Sequence, residues 1–241
     1  MRASGALALD VAGTRLWLRP DRTVWWPDEG VLFAADLHLG KGAAFRAMGQ
    51  PLPAGGSSAT LQRLASAARA CGAARVVVLG DFWHHRSGLG PALEAGVAEF
   101  ATRWPTTVIL GNHDRTVAPE AAARLPLQVE RGRLAVGPFT AAHEPALASA
   151  AAPRAGFTLA GHLHPAVLLR SRSGDRLRQP CFAITAHELV LPAFGSHTGS
   201  WTCTPAEYER LDARVALAGA SEVVLLGRST GARAHGRPRQ T

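Results

Sequence analysis

The 241-residue sequence has few cysteines, one lysine, one tyrosine and no long apolar run. Its three cysteines, Cys71, Cys181 and Cys203, are too few and too widely spaced for a disulfide framework or a cysteine zinc site. No apolar stretch approaches the ~18 residues of a membrane helix, and Asp10 interrupts the N-terminal apolar segment before a secretory pattern forms. Since 47% of the residues are hydrophobic, we expect a globular protein. The lack of a membrane helix and of a secretory pattern leads us to expect it in the cytoplasm.

The sequence also lacks the glycine-rich loops of P-loop and dinucleotide-binding proteins. Gly195-Ser196-His197 has neither the strand-elbow pattern nor the third member that serine catalysis requires. The formal charge is +8, and all basic residues except Lys41 are arginine. This excess favours a polyanionic partner such as nucleic acid, but arginine-rich, alanine-rich composition equally fits a GC-rich genome. Charge alone therefore leaves the partner open.

Five polar motifs follow apolar, strand-like runs in a fixed order along the chain. They are Asp36-Leu37-His38, Gly80-Asp81, Gly111-Asn112-His113-Asp114, His143 and Gly161-His162-Leu163-His164. Hard and borderline divalent cations accept these oxygen and nitrogen donors, and the carboxyl ends of neighbouring strands can converge on one point. Each motif alone fits a turn, a strand corner or a core histidine equally well. Their joint order predicts a site for two metal ions.

Periodicity predicts two sheets with different connections. Residues 5–26 favour short antiparallel strands at a sheet edge. The next segment reads β-α-β-α-β, a parallel, doubly wound unit with strands over 31–35, 75–79 and 106–110 and helices over 41–48, from Ser57 or Ser58 to Gly72, and over 91–103. Short runs then predict a mixed or antiparallel second sheet, with strands over 126–130, 133–136, 139–142, 157–160, 166–171, 180–185, 188–191 and 222–227. We expect one domain over 1–227 and an Arg/Gly-rich disordered tail over 228–241.

Over roughly residues 30–170 the ordered motifs resemble the calcineurin-like metallophosphoesterase superfamily. The resemblance implies an α/β fold, a four-layer sandwich of two β-sheets flanked by helices. It also implies two divalent metal ions, one held by Asp36, His38 and His164, the other by Asn112, His143 and His162, with Asp81 bridging both. A donor set without thiolate favours Mn2+, with Fe2+ or Zn2+ as alternatives.

The same resemblance implies phosphodiester hydrolysis, with in-line attack by a hydroxide that bridges the metals. Asn112 would help to stabilise the charge on the phosphoryl oxygens. His113 would be the general acid, with its imidazole oriented by Asp114. The segment Phe82-Trp83-His84 resembles one in related nucleases where a histidine lies beside the scissile phosphate. His84 is thus a second candidate for substrate contact or leaving-group assistance, and the alternative is a solvated loop.

A narrower resemblance is to the ligase-associated DNA damage response endonucleases of the PdeM type. It rests on Asp36 to Lys41, Phe45-Arg46 with Gly49, Pro51 to Gly55, Gly161 to Pro165, Leu177 to Phe182 and Leu189 to Gly199, with Ser200 where a second glycine is expected. The resemblance implies a DNA substrate, single strands or flaps, and a functional link to a DNA ligase and a helicase.

Substrate contacts are predicted more weakly than metal ligands. Lys41 and Arg46 would bind phosphates beside the scissile bond. Three tryptophans could stack on unpaired bases or pack in the core: Trp25, Trp26 and Trp83.

Two alternatives to a nuclease stay open. The first is a small-molecule nucleotide phosphodiesterase or phosphatase of the same superfamily. The second is a non-catalytic scaffold, which the presence of His113 and of every expected ligand disfavours. DNA and RNA, and endo- and exonuclease action, all fit the sequence.

Overall fold

The structure, a computed structural model, describes residues 4–50, 52–117, 124–146, 156–171, 173–196 and 198–227. The expected disordered tail over 228–241 lies outside the described residues, and both the tail and the single domain over 1–227 stay predictions. Within the described ranges, no helix combines the length and apolar character that crossing a membrane requires.

In the part of the chain that the structure describes, the first sheet has seven strands, which follow one another across the sheet in chain order. Their bounds are Leu7–Val11 (β1), Thr14–Leu18 (β2), Val24–Trp26 (β3), Val31–Ala34 (β4), Arg75–Leu79 (β5), Thr106–Ile109 (β6) and Leu127–Glu130 (β7). Pairing is antiparallel from β1 to β4 and parallel from β4 to β7. The N-terminal strands thus form the predicted antiparallel edge, and the apolar runs form the parallel part.

Among the described residues, three helices connect the parallel strands, and two of them pack on the same face of the sheet. They are α1 (Lys41–Ala47), α2 (Gly56–Cys71) and α3 (Pro91–Arg103). Leu64 of α2 and Phe100 of α3 share one buried cluster with Leu32 of β4. The predicted doubly wound arrangement is therefore wrong. Phe33, on the opposite face of β4, packs instead in the cluster between the two sheets.

The second sheet is mixed and contains nine strands within the described ranges. They are Arg133–Val136 (β8), Phe139–Ala142 (β9), Phe157–Ala160 (β10), Pro165–Arg170 (β11), Arg176–Ile184 (β12), Glu188–Val190 (β13), Trp201–Cys203 (β14), Arg214–Ala218 (β15) and Val223–Leu225 (β16). Seven lie in the order β14-β11-β12-β13-β10-β9-β8, and β15 pairs with β12 and β16. The parallel pairs β9–β10 and β10–β13 bring the ends of β9 and β10 to one edge.

The layers are helices, first sheet, second sheet and a final short helix, α4 (Pro205–Arg210). Phe33 and Leu79 pack against Phe139 and Leu159 between the sheets, and Tyr208 of α4 packs on the outer face of the second sheet. This four-layer sandwich confirms the predicted fold class. The three candidate stacking tryptophans are buried in the cores, so the base-stacking hypothesis is wrong for Trp25, Trp26 and Trp83.

Candidate metal centre

The loops that follow β4 and β5 continue the parallel ladder beyond the strands themselves. The Asp36 amide donates to the Gly80 carbonyl over 3.1 Å, and the His38 amide donates to the Asp81 carbonyl over 2.8 Å. Leu39 and Trp83 form one further parallel bridge. Backbone pairing therefore fixes the first two motifs against each other before any side chain is considered.

Five predicted ligands have a left-handed backbone conformation. Their φ values lie between 48° and 70°, and the residues are Asp36, His38, Asp81, His162 and His164. Residues other than glycine rarely adopt this region, and such conformations persist where the surrounding structure imposes them, often at functional sites. The left-handed conformation thus coincides with five of the seven predicted ligands, all except Asn112 and His143.

The glycines inside the motifs are required by close approach. A Cβ on Gly80 would overlap the His143 imidazole. A Cβ on Gly161 would lie 2.7 Å from Oδ2 of Asp36, which is closer than real Cβ contacts. Any larger residue at these positions would displace a candidate ligand.

One cluster of donors forms where the first sheet meets the β10–β11 loop. The candidate ligand atoms of Asp36, His38, Asp81 and His164 all lie within 4.8 Å of one another. Nε2 of His164 is 3.4 Å from Nε2 of His38 and 3.5 Å from Oδ1 of Asp36. Two carboxylates and two imidazoles at these distances form a donor set that fits a divalent cation.

A second group of donors adjoins the first at Asp81. Nε2 of His143 is 2.9 Å from Oδ1 of Asn112 and 3.0 Å from Nδ1 of His162. Oδ1 of Asp81 is 3.7 Å from Nε2 of His143, while its Oδ2 is 3.8 Å from Nε2 of His38. The two oxygens of one carboxylate therefore face two donor groups, as a bridging ligand requires.

Backbone carbonyls fix the tautomers of two histidines. Nδ1 of His143 lies 3.1 Å from the Leu79 carbonyl, and Nδ1 of His164 lies 2.9 Å from the Gly199 carbonyl. Because a carbonyl only accepts, each Nδ1 carries the proton and donates it. The lone pair of each ring is then on Nε2, the atom that faces the other donors.

The electrostatic environment favours neutral imidazoles at two of these positions. Burial, with the neighbouring imidazole of His164 as the next cause, lowers the pKa of His38 to about 2. Burial also lowers the pKa of His162. For His164 burial again acts to lower the pKa, but the hydrogen bond and charge of Asp36 outweigh it and the pKa is raised. Neutral imidazole is the form that binds metals.

Two further histidines form a stacked pair beside the first cluster. The rings of His84 and His113 are 4.8 Å apart and inclined by 22°. Nδ1 of His84 is 3.5 Å from Nδ1 of His38, and burial lowers the pKa of His84 to about 4. Nδ1 of His113 donates to the His84 carbonyl over 3.0 Å, so Nε2 is its atom available for proton exchange.

The expected role of Asp114 needs correction. Its carboxylate is fully buried and accepts hydrogen bonds from three backbone amides, those of Gly111, Phe82 and Trp83. The carbonyl of His84, not the Asp114 carboxylate, lies against Nδ1 of His113. Asp114 therefore joins the loops after β5 and β6, and burial raises its pKa to about 6 despite these amides.

The two predicted phosphate-binding residues differ in their surroundings. Lys41 lines a cavity of about 80 Å³ together with His38, and burial lowers the pKa of Lys41. Arg46 instead donates through Nη1 to the carbonyls of Leu52 and Pro53, at 2.9 and 3.1 Å. The structure thus places Lys41 beside the donors and uses one end of Arg46 to hold the loop after α1.

Residues 30–169 match the family model described as calcineurin-like phosphoesterase. The chain belongs to the calcineurin-like phosphoesterase family. The family assignment made from the motifs is confirmed, and the chain is a metal-dependent hydrolase of phosphoester bonds. The candidate ligands from Asp36 to His164 all lie inside the matched segment.

Among solved structures, the chain of this calcineurin-like phosphoesterase is similar to the nuclease MPE of Pseudomonas putida. The two are 35% identical with a TM-score of 0.74, over 92% of this chain and 100% of that one. A phosphoesterase from E. coli, Yfce, is 14% identical with a TM-score of 0.42, over 82% of this chain and 98% of that one, which is too distant to bear on function. No curated protein sequence matches the chain.

The sequence did not predict two groups of residues near the site: backbone carbonyls that orient histidines, and arginines from distant segments that line one cavity. The fixed tautomers depend on the carbonyls of Leu79 and Gly199, which no side-chain pattern indicates. A basic cavity beside His164 was also missed, because its arginines come from distant segments: Arg22, Arg63 and Arg178. The one available signal was the segment around Arg178, which belongs to the narrower resemblance.

Proposed function

We propose that this protein is an endonuclease that cleaves DNA with two divalent metal ions, preferably Mn2+. The observation that carries the proposal is the pair of donor groups that share the Asp81 carboxylate. The similarity to a Pseudomonas putida nuclease over 92% of this chain supports a polymeric substrate. The resemblance to ligase-associated endonucleases adds the prediction of a functional link to a DNA ligase and a helicase.

The donor groups fit the metals that the family uses. Asp36, His38 and His164 would hold one ion, Asn112, His143 and His162 the other, and Asp81 both. Two divalent ions bound there would supply the Lewis acidity that activates water and polarises a phosphoryl group. Both carboxylates are buried, so little water competes for the donors.

The stacked histidine pair supplies the acid for the leaving oxygen. The His84 carbonyl orients the His113 ring through Nδ1, which leaves Nε2 to hold and release a proton. His84 lies against both His38 and His113, and the His38 and His113 rings are themselves 4.9 Å apart, so the three imidazoles adjoin one another. The pKa of His84, lowered to about 4, keeps this ring neutral near pH 7, which suits a hydrogen-bonding contact to the substrate.

Cleavage of circular single-stranded DNA tests the proposal. Metal-stripped protein should be inactive, and added Mn2+ should convert circles to linear and then shorter products. His113→Ala should lower kcat by about 10²–10⁴-fold, the usual contribution of a general acid. It should retain bound manganese, measured by metal analysis of the purified variant. His187→Ala, an exposed histidine in the turn between β12 and β13, is the matched control and should cleave normally.

The same experiment separates the alternative function. Circles that stay intact, together with manganese-dependent hydrolysis of bis-p-nitrophenyl phosphate, would reject the nuclease and favour a small-molecule phosphodiesterase. Absence of both activities in metal-loaded protein would favour the scaffold. Cleavage of circular single-stranded RNA, assayed in the same way, decides whether the enzyme prefers DNA or RNA.

A further inference from the structure

A cavity of about 380 Å³ adjoins the candidate metal centre on the side of His164. Its walls come from the turn between β2 and β3, from α2, from β11 and β12, and from the loop after β13. Gly199, whose carbonyl accepts the Nδ1 proton of His164 over 2.9 Å, lines the cavity as well. A ligand in this cavity would therefore lie next to a candidate metal ligand.

Three arginines from distant segments line this cavity, which we call the arginine pocket: Arg22, Arg63 and Arg178. None of the described residues that line it is an aspartate or a glutamate. Among the described residues, none of the three arginines forms an ion pair. By contrast, Arg19, in the same turn as Arg22, is paired with Asp21 over 2.6 Å. Asp21 is bonded to Arg19 and does not line the pocket, although its charge also acts on Arg63. The three arginines therefore outnumber the nearby carboxylate, and the pocket keeps a net positive charge.

The arginines are held in place by groups that carry no charge. Arg63 donates to the Phe194 carbonyl over 2.8 Å and lies over the Phe194 ring, 4.5 Å from its centroid. Arg22 donates to the Ala193 carbonyl over 3.2 Å. Arg178 donates to Oγ of Ser200, also over 3.2 Å. A guanidinium has five N–H donors, so each keeps donors for a ligand while its orientation is fixed.

Placing the partly buried charge of Arg22 near that of Arg63 is unfavourable in free energy, and a bound anion would offset this. Burial and the charge of Arg63 lower the pKa of Arg22. Arg22 also has a φ of 69°, in the left-handed region, like five of the candidate metal ligands. Strained conformations and repelling like charges are retained where they serve a site. Planar guanidinium forks match the oxygens of a phosphate.

We propose that the arginine pocket binds a backbone phosphate of the nucleic-acid strand, next to the phosphate that is cleaved. This inference rests on the proposed function and adds a substrate subsite to it. The pocket would favour a strand over a small diester, because only a strand carries a second phosphate that can reach it. Free phosphate presents the same oxygens, so the test must separate the two sources.

The test compares two substrates with manganese-loaded enzyme: a single-stranded oligonucleotide and bis-p-nitrophenyl phosphate, which has one phosphorus atom. For each enzyme, kcat/KM for the oligonucleotide is divided by kcat/KM for the small diester. In the double variant Arg22→Gln/Arg63→Gln this ratio should fall at least about tenfold, because KM for the oligonucleotide rises. A loss of about 1.4 kcal/mol, close to the contribution of a single hydrogen bond to a charged group, gives that factor. The salt dependence of oligonucleotide KM should also weaken, by about 0.7 in logarithmic slope per lost phosphate contact.

Three further variants test whether the effect comes from misfolding, from the loss of the guanidinium fork or from the loss of a positive charge anywhere on the surface. Arg178→Gln changes an exposed side chain, so it should fold normally and still lower the ratio by about threefold. Arg63→Lys keeps the charge but loses the planar fork, so its ratio should fall between those of wild type and of an Arg63→Gln single variant measured beside it. Arg170→Gln, at the opposite end of β11 and exposed, removes the same charge and should keep the wild-type ratio.

The outcomes separate the inference from the proposed function. If wild type does not cleave the oligonucleotide, the proposed function fails and the inference with it. If wild type cleaves and the pocket variants keep its ratio and salt slope, the inference alone is overturned. Inhibition by inorganic phosphate is measured as well. If phosphate inhibits the pocket variants less than wild type while the salt slopes stay unchanged, the pocket binds free phosphate and the proposed contact to a strand is rejected.

Discussion

At the scale of single residues, the candidate metal centre depends on glycines that contribute no ligand. Gly111 lies between β6 and Asn112, and a Cβ there would overlap Oδ1 of Asp81 and lie 2.5 Å from the Asp81 backbone nitrogen. The carboxylate that faces both donor groups is therefore packed directly on this glycine. Glycine is required at position 111 because there is no room for a Cβ, and not because the backbone has a left-handed φ.

We predict that Gly111→Ala weakens manganese binding by about 10–100-fold, the loss typical when a supporting contact of a metal ligand is disturbed. The added methyl group must push Asp81 away from the point between the donor groups. Manganese affinity, measured by titration calorimetry, checks this. Gly90→Ala is the control, since a Cβ at Gly90 meets nothing within 4 Å. Equal affinities in both variants would contradict the prediction.

Asp114 also acts at this scale, through its hydrogen bonds to backbone amides. The amides of Gly111 and Trp83 each donate to its carboxylate over 2.8 Å, and the Phe82 amide donates over 3.3 Å. The loops that carry the second and third motifs are thus joined by one buried side chain. The Asn-His-Asp motif supplies a structural acid beside a candidate ligand and a candidate catalytic residue.

We predict that Asp114→Ala lowers the free energy of unfolding by about 2–4 kcal/mol, because three amides lose their acceptor and buried unsatisfied donors are costly. Urea unfolding in EDTA measures this without any contribution from metal binding. Asp175→Ala, which removes an exposed carboxylate bonded to Ser171 and Ser173, should change stability by no more than about 0.5 kcal/mol. A small effect in Asp114→Ala would show that water replaces the carboxylate.

At the scale of elements, the hairpin of β8 and β9 is fitted to a tryptophan of the first sheet. Trp26 packs edge to face on Phe139, with ring centroids 5.2 Å apart. Gly137, in the turn of that hairpin, has a φ of 58°, and a Cβ there would overlap the Trp26 ring. The turn therefore needs glycine for both its conformation and its contact between the sheets.

We predict that Gly137→Ala lowers the free energy of unfolding by about 2–4 kcal/mol, the sum of left-handed strain and overpacking. Gly132→Ala, in the preceding turn, shares the strain with a φ of 85° but meets nothing within 4 Å. It should lose only about 1 kcal/mol. Urea unfolding followed by tryptophan fluorescence measures both. Equal losses would mean that the contact with Trp26 contributes nothing.

The elements that the sequence predicted well are those with strong local patterns. Strands β8, β9 and β10 have the predicted bounds, and α3 begins at the predicted proline. The sequence did not predict β14, α4 and β15. Helix α4 has only six residues, too few for helical periodicity, although Thr204 and Glu207 form a capping box at its start. Strand β15 is defined by its pairing with β12, which is a tertiary contact.

At the scale of the whole molecule, the candidate ligands come from both sheets. Asp36, Asp81 and Asn112 follow strands of the first sheet, whereas the remaining histidines follow β9 and β10 of the second: His143, His162 and His164. The amide of His162 donates to both oxygens of Asp36, at 3.2 and 3.0 Å. A metal bound here would link the two layers of the sandwich.

We predict that metal removal destabilises the whole fold. At a Mn2+ concentration of 100 times Kd, binding adds about 2.7 kcal/mol to stability, or about 5–10 °C in Tm for a chain of this size. Thermal unfolding with Mn2+ and with EDTA measures the shift. His162→Ala removes a ligand of one of the two ions and should reduce the shift, and His187→Ala should retain it in full. An equal shift in His162→Ala would place the stabilising metal elsewhere.

The sequence by itself determined the family, the order of the ligand motifs and most of the strands, because these depend on local periodicity and on residue types at the ends of strands. It could not determine which face of the first sheet the helices cover, or that Trp25, Trp26 and Trp83 are buried, because both depend on how layers pack. The tertiary structure alone decided the role of Asp114 and the arginine pocket. Both arise where segments far apart in the chain meet, and no local pattern encodes such distances.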